Sequence, residues 1–419
     1  MVQSEEPADR PFLVTLIVVA FVMNMLARGV TETFAVFLLP VQQGLGVSRP
    51  EITLTYSVFM LAYGLSAPFA GQLIDRFGAR VTYGFGLMSL GCGYLLAGSA
   101  TELWQYLLCA GFLSGLGSAS LGMIAASALL SRWFTRRIGT VMAVPYAAIG
   151  AGMLILPPLT QFALSVTDWR MAHRLLGAGV IMMLPLIMLA PLKRITAGSA
   201  EWRARRETAA RSDEGPWTVS TAVRTSGFWG LFAAYLFTSI AAYSVLPHSV
   251  AYLIELGFDP LIAASAFGLT GMLSVAGILA VGWLSDRFGH LRTASLSYLS
   301  TIAGIVALML ASAWPSLALV YAFVLFFGLM QGARGPIIIV LVTRLFPGGV
   351  GAIYGTLSLA MGLGAGLGSW ASGLLYEFTG NYLTSFTVGI GGALMGLAMF
   401  WAVRPLREER ASPGEVRTT

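Results

Sequence analysis

Twelve stretches of this chain are long and apolar enough to cross a lipid bilayer, which removes almost every soluble fold from consideration. A spanning helix needs about 20 mostly apolar residues. Inside hydrocarbon each backbone N–H and C=O must be satisfied within its own segment, so such runs become helices. Divided at its turn and charge signals, the sequence offers candidates at 12–40, 51–74, 80–99, 103–131, 138–164, 171–192, 226–254, 260–284, 291–313, 316–343, 350–376 and 381–403. One long polar stretch, 193–225, containing EWRARRETAARSDEGPW, separates six candidates from six. The expected fold is an all-α membrane protein of twelve transmembrane helices in two six-helix bundles, at 12–192 and 226–404. Residues 1–11 form an N-terminal segment, 193–225 a central loop and 405–419 a tail.

Composition agrees. Charged residues make up 11% of the chain, against about 25% in soluble domains. The 49 glycines suit helices packing closely in lipid. The run beginning at Phe12 is too long for a signal-peptide core and its flank, MVQSEEPADRP, is acidic, so it reads as a permanent first span. Cys92 and Cys109 sit in apolar runs without CxxC or Cys/His spacing and read as buried thiols. With the N-terminus inside, 20 of the 25 basic residues fall in cytoplasmic segments, among them Arg76, Arg80, Arg132, Arg136, Arg137, Arg287, Arg344 and the cluster from Lys193 to Arg224. Arg49, Arg170 and Arg174 fall on the other side, and Arg28 and Arg334 at membrane depth. This is the positive-inside pattern. The basic excess is therefore a topology signal with lipid headgroups as its partners, and nucleic-acid binding drops out.

The two halves repeat. GQLIDRFG at 71–78 returns as GWLSDRFG at 282–289, identical at six of eight positions and 211 residues on. Arg132, Phe134, Gly139, Gly150 and Gly152 match Arg344, Phe346, Gly351, Gly362 and Gly364 at an offset of 212. The bundles thus read as pseudo-symmetric copies, as in many transporters. With its twelve spans and central loop, the GxLxDRxGxR pattern in GQLIDRFGAR (71–80) resembles the major facilitator superfamily over essentially the whole chain. Within it, FAVFLLPVQQGLGVSRPEI (34–52), RWFTRRIGTVMAVPYAAIGAG (132–152), DWRMA (168–172) and GLLYEFTGNYLTSF (373–386) resemble the monocarboxylate transporter and oxalate:formate antiporter branch. That resemblance implies alternating access, a small organic anion as cargo, and a cavity lined by helices 1, 4, 7 and 10. It also implies that Asp75, Arg76 and Arg80, with Asp286 and Arg287 in the repeat, gate the two bundles. One departure stands out: the animal carriers place an acid–arginine pair on helix 8, and residues 261–284 carry no charge at all.

Charges at membrane depth are expensive and therefore functional candidates. Asn24, Arg28 and Glu32 are spaced i, i+4, i+8 and share one helical stripe. Arg334 lies halfway along the tenth span, loosened by Gly332, Gly335 and Pro336. A guanidinium fork grips a carboxylate bidentately. Two arginines against one acid leave a positive charge for an anionic cargo, so Arg334 and Arg28 are expected to bind substrate. The competing reading is an Arg28–Glu32 pair that only neutralises, with Arg334 bonded to helix carbonyls. Glu32 could also carry a proton. Gln331, Tyr243, Tyr146 and His248 are further candidates, although a hydrogen-bonded histidine at a helix end accounts for His248 as well. His173 and His290 read as solvated. GxSxG, HExxH, Walker and dinucleotide patterns are all missing, so neither an enzyme nor a cofactor is expected. The sequence reads as a monomeric secondary transporter of a mono- or dicarboxylate, by proton symport or anion exchange. Two alternatives remain: a lipophilic-cation or drug/proton antiporter using Glu32, and a non-transporting sensor on the same fold. An arginine-to-lysine ratio of 24 to 1 points to a bacterial inner membrane.

Overall fold

The computed structural model describes residues 10–134, 138–189, 192, 196, 198–199, 217–347 and 349–407. The expected headgroup anchors at 135–137 and most of those in 193–225 lie outside them. Among the described residues ten helices have the length and apolarity of a span: α1 (Pro11–Leu45), α4 (Leu103–Leu130), α5 (Val141–Val166), α6 (Trp169–Leu189), α7 (Ser226–Glu255), α8 (Pro260–Phe288), α9 (His290–Leu310), α10 (Leu317–Leu345), α11 (Val350–Thr379) and α12 (Leu383–Ala402). An eleventh helical stretch, Arg49–Ala97, has 49 residues. At 1.5 Å per residue it would measure about 73 Å, more than twice the hydrocarbon core. It does not run straight, because Gly78 takes φ 80° and ψ 174°.

Both arms pack on α4, in opposite senses. Along α4 from Cys109 to Gly117, the first arm rises from Val58 to Ala62 while the second falls from Gly93 to Leu90. The chain therefore reverses at Gly78, giving α2 (49–77) and α3 (79–97), and the crossings among the described residues number twelve. An even number puts the first and last described residues on one face, here termed the terminal face. The α1–α2, α7–α8 and α11–α12 turns lie on the opposite face.

The repeat seen in sequence reappears in the backbone. Gly46 and Gly257 both take positive φ (66° and 88°), as do Gly78 and Gly289 (80° and 84°), each pair 211 residues apart. Only glycine reaches that region without strain. More telling, α1, α4, α7 and α10 are all interrupted inside the membrane. The breaks fall at Thr33, Gly122, Ser244–Val245 and residues 331–333, so the second pair repeats the first at the same offset. A break at this depth frees backbone groups and is tolerated only where it is buried in protein or faces a water-filled cavity.

Close helix approach depends on missing side chains. A Cβ on Gly277 of α8 would lie 1.6 Å from the Leu329 carbonyl oxygen of α10. One on Gly152 of α5 would lie 2.4 Å from the Met25 oxygen of α1. In lipid, such backbone contact supplies packing that hydrophobicity alone does not.

The halves join along α2·α11, α5·α8 and the distal parts of α1 and α7. Ser57 donates to the Gly366 carbonyl at 2.7 Å, a Cβ on Gly373 would sit 2.6 Å from Thr53 Oγ1, and Gly150 lies beside Gly271. These contacts lie toward the opposite face. Farther toward the terminal face along α2 and α11, at Gly64, Gly71, Gly351 and Gly355, a Cβ would meet nothing within 4 Å.

Candidate functional site

The unbroken first part of α1, Arg10–Glu32, keeps the i, i+4 register and brings Arg28 onto Glu32. Arg28 Nη2 lies 2.7 Å from Glu32 Oε1, with the glutamate side chain 1% exposed and the arginine 25%. The same nitrogen donates to the Tyr243 hydroxyl of α7 at 3.0 Å. Arg28 thus bridges the two halves of the molecule from the middle of its span. Tyr56 of α2 donates to Glu32 Oε1 at 3.2 Å, and its ring lies 5.8 Å from that of Tyr243. Asn24 shares the stripe but not the cluster: its amide donates to the Ala20 carbonyl of its own helix at 2.9 Å.

More tyrosines surround this pair. Tyr63 of α2 lies within electrostatic range of Arg28, Tyr243 and Tyr354. Tyr146 of α5, 39% exposed, lies within range of Tyr63 and Tyr354. The hydroxyls of Tyr235 (α7) and Tyr354 (α11) are 3.5 Å apart.

Arg334 has a different setting. It opens the second part of α10, Arg334–Leu345, after a break in which Gly332 takes φ 76°. Its Nε donates to Ser297 Oγ at 3.0 Å, and its Nη2 to the Ser297 carbonyl at 2.8 Å and to the Thr301 hydroxyl. The guanidinium carbon stands 4.1 Å over the Tyr298 ring. All these partners are on α9. The expectation that Arg334 grips a carboxylate therefore meets a guanidinium already held by neutral groups, with three of its five N–H donors engaged. It shares no partner with Arg28. Gln331, in the break itself, has a buried Oε1 without a partner among the described residues.

His248 belongs to a third cluster, at the opposite face. It is fully buried, with Nε2 3.0 Å from the Ser369 carbonyl and Nδ1 3.2 Å from the Tyr382 hydroxyl. The same hydroxyl accepts from Arg49 Nη1. Arg49 Nη2 lies 2.8 Å from Glu255 Oε1, Tyr376 donates to that oxygen at 3.2 Å, and the Arg49 guanidinium carbon stands 4.4 Å over the Tyr376 ring. One arginine at the start of α2 thereby ties the first half to α7, α11 and the α11–α12 turn. Sequence reasoning missed Arg49, Glu255, Tyr376 and Tyr382. Their only signal was that Arg49 lies in one of the family-like stretches and both tyrosines in another.

Among the gating candidates, Asp75 pairs within its own half. Asp75 Oδ1 is 2.6 Å from Arg132 Nη2, at the end of α4. Arg132 Nη1 also donates to the Thr196 carbonyl at 2.7 Å, and the Ala79 N–H donates to the Thr196 hydroxyl at 2.9 Å. Arg76 is exposed, Arg80 is partly buried, and in the repeat Asp286 and Arg287 are exposed, with Arg287 lying over Trp283 at 5.3 Å. Two expectations need correction. His173 and His290 are buried, at 1% and 3% exposure, not solvated. His173 packs 3.7 Å from the Phe37 ring centroid and bonds Tyr106, while His290 bonds the Leu406 carbonyl at 2.7 Å.

Known proteins agree with this architecture. The family model of the Major Facilitator Superfamily matches residues 17–347. Monocarboxylate transporter 13 of Rattus norvegicus is 28% identical over 400 residues, covering 94% of this chain and 90% of that protein. The uncharacterized MFS-type transporter YcxA of Bacillus subtilis is 23% identical over 387 residues, covering 88% and 90%. In fold, the chain resembles the xylose transporter XylE of E. coli, in a partially occluded inward open conformation, with a TM-score of 0.72 at 13% identity over 96% of this chain and 100% of that one. With twelve spans, an internal repeat and a charged pair held between its halves, this chain is a multi-pass membrane protein that belongs to the major facilitator superfamily, on a branch like that of the monocarboxylate transporters.

Proposed function

We propose that this protein is a secondary transporter for a small organic monocarboxylate, with Arg28 as the carboxylate ligand and Glu32 as the group that exchanges a proton. The observation that carries the reading is the Arg28–Glu32–Tyr243 cluster. There a guanidinium at membrane depth keeps a quarter of its side chain accessible while one nitrogen serves both a buried acid and the other half of the molecule. An arginine–glutamate pair is neutral, so adding a carboxylate would leave one net negative charge in a medium of low dielectric. An unbalanced charge at that depth costs at least about 2.5–3.5 kcal/mol. A proton on Glu32 restores neutrality and frees Arg28 for the incoming carboxylate. One monoanion then travels with one proton, or with exchange of a second anion while Glu32 stays protonated. A dianion would remain unbalanced. A lipophilic cation would find Glu32 already neutralised at 2.7 Å, which argues against the exporter reading.

Arg334 enters as the brace that holds the broken α10 against α9. Bundles 12–192 and 226–404 are the moving units in this reading, and the Arg49 cluster is the seal on one side of the cavity. In this reading the basic residues put the terminal face in the cytoplasm, and the 24 to 1 arginine-to-lysine ratio points to a bacterial inner membrane. A monomer carrying no cofactor and running no chemical step suffices.

Uptake of labelled carboxylates into proteoliposomes tests this. Losing a charged hydrogen bond to the ligand costs about 1.5–3 kcal/mol, so Arg28→Gln should weaken carboxylate binding about 10- to 150-fold. Glu32→Gln should keep binding and lose its response to an imposed pH gradient. Full carboxylate transport by Arg28→Gln, or transport of cations instead, would overturn the reading.

A further inference from the structure

The tyrosines around Arg28 form a file. Counted along their helices from the terminal face, Tyr354 and Tyr146 come first, Tyr235 and Tyr63 next, and Tyr243 and Tyr56 stand beside the Arg28–Glu32 pair. Tyr235 and Tyr354 share a hydroxyl contact and ring centroids 6.5 Å apart. Tyr146 lies within electrostatic range of Tyr354 and Tyr63, and the tilted rings of Tyr56 and Tyr243 have centroids 5.8 Å apart. Phe59 continues the surface, 6.0 Å from Tyr56 and 6.1 Å from Tyr63. Four different helices contribute, from both halves.

The hydroxyls of this file are mostly engaged. Tyr243 accepts from Arg28, Tyr56 donates to Glu32, and Tyr235 and Tyr354 face each other. What remains on offer, above all on Tyr146, which is exposed, and on Tyr63 and Tyr354, which are partly so, is ring surface with the Tyr63 and Tyr146 hydroxyls at its edge. The Tyr63 hydroxyl stands 3.6 Å from where a Cβ on Gly122 would lie, at the break in α4, so this ring overhangs the one interruption in the first half with no side chain of its own. A polyhydroxylated cargo would need free donors and acceptors along the route, whereas a flat apolar one needs ring faces at stacking distance.

We infer that the cargo is an aromatic monocarboxylate, its carboxylate on Arg28 and its ring among Tyr63, Tyr146 and Tyr354. This rests on the carboxylate reading above and adds the body of the molecule to its head. A short aliphatic acid reaches Arg28 but leaves the collar unfilled. A saturated ring of the same size fills it without the edge-to-face and offset contacts that aromatic pairs make.

The test is calorimetric titration of the full-length purified protein with four compounds: 3-phenylpropionate, 3-cyclohexylpropionate, propionate and 3-phenylpropionamide. Phenylpropionate should bind at least tenfold more tightly than the cyclohexyl acid and more tightly still than propionate. In Tyr146→Leu and Tyr63→Leu that selectivity ratio should collapse toward one, and in Tyr146→Phe, which keeps the ring, it should persist. Thermal transitions of the variants show that the ratio is read on folded protein. Equal binding of the three acids, or a ratio untouched by both leucine variants, overturns the aromatic inference and leaves the carboxylate reading standing. Equal binding of phenylpropionate and its amide, or no binding by any acid, overturns the carboxylate reading and the inference with it.

Discussion

Replacing Arg49 by alanine should open the opposite face. Three contacts cross between the halves through this one side chain: the 2.8 Å pair with Glu255, the bond to the Tyr382 hydroxyl and the stack over Tyr376. Glu255 is 30% exposed, so the ion pair contributes at most about 1 kcal/mol. The charged bond to Tyr382, at a guanidinium only 5% exposed, contributes about 1.5–3 kcal/mol. The ring contact adds about 0.5–1 kcal/mol. These contributions share one side chain and do not simply add; about 3 kcal/mol is a fair total, or about a hundredfold in the balance between the two faces. Glu255→Gln keeps an acceptor for Tyr376 and removes only the charge, so it should shift that balance by no more than about fivefold. Spin labels at Gln43 and Ser312, exposed positions on that face in the first and second halves, report the separation by double electron–electron resonance once Cys92 and Cys109 are replaced by serine. Arg49→Ala should populate a longer distance that is minor in the parent protein. Identical distance distributions would show that Arg49 seals nothing.

Arg334→Ala removes three hydrogen bonds and a ring contact between α10 and α9, so it should lower stability by about 3 kcal/mol in a thermal unfolding scan. Arg334→Lys should not restore it, because a point charge cannot reproduce the fork. Loss of carboxylate binding at unaltered stability would return Arg334 to the substrate site. Gly277→Ala should prevent assembly, since its methyl would sit 1.6 Å from the Leu329 oxygen, whereas Gly335→Ala, with nothing within 4 Å, should give normal yield and a single peak on size exclusion. Asp75→Asn should leave the fold intact, because half of the Asp75 side chain is exposed and such pairs contribute little. A large fall in melting temperature would assign the loop a structural role beyond gating.

The twelve spans and their repeat were legible because the bilayer acts on composition segment by segment: each crossing must be apolar by itself, whatever it packs against. The repeat seen in sequence has a backbone counterpart at Gly78 and Gly289, where the repeated glycines carry a repeated positive φ. The Arg49 cluster at the opposite face was not legible. Arg49, Glu255 and Tyr382 each look like ordinary residues at a helix end or turn, and their meaning comes only from contacts spanning 206 and 333 residues of sequence. Two family-like stretches, 34–52 and 373–386, contain Arg49 and its tyrosines, so the resemblance held a contact that neither stretch reveals alone.

The two arginines at membrane depth show where spacing arguments end. Arg28 and Glu32 lie on one uninterrupted helical segment, where four residues are one turn and the 2.7 Å pair follows from the register. Arg334 comes after Gln331 and Gly332, and the positive φ of Gly332 resets the helical phase. Positions before that break no longer predict which way residues after it point. Hydropathy fixed the depth of Arg334 but not its azimuth, and the azimuth separates a side chain aimed at the cavity from one aimed at α9. The same break that suggested a loosened, ligand-accessible helix is what turns the guanidinium toward Ser297 and Thr301. Depth in the membrane makes an arginine a candidate; continuity of the helix that carries it decides whether its neighbours can be read from sequence.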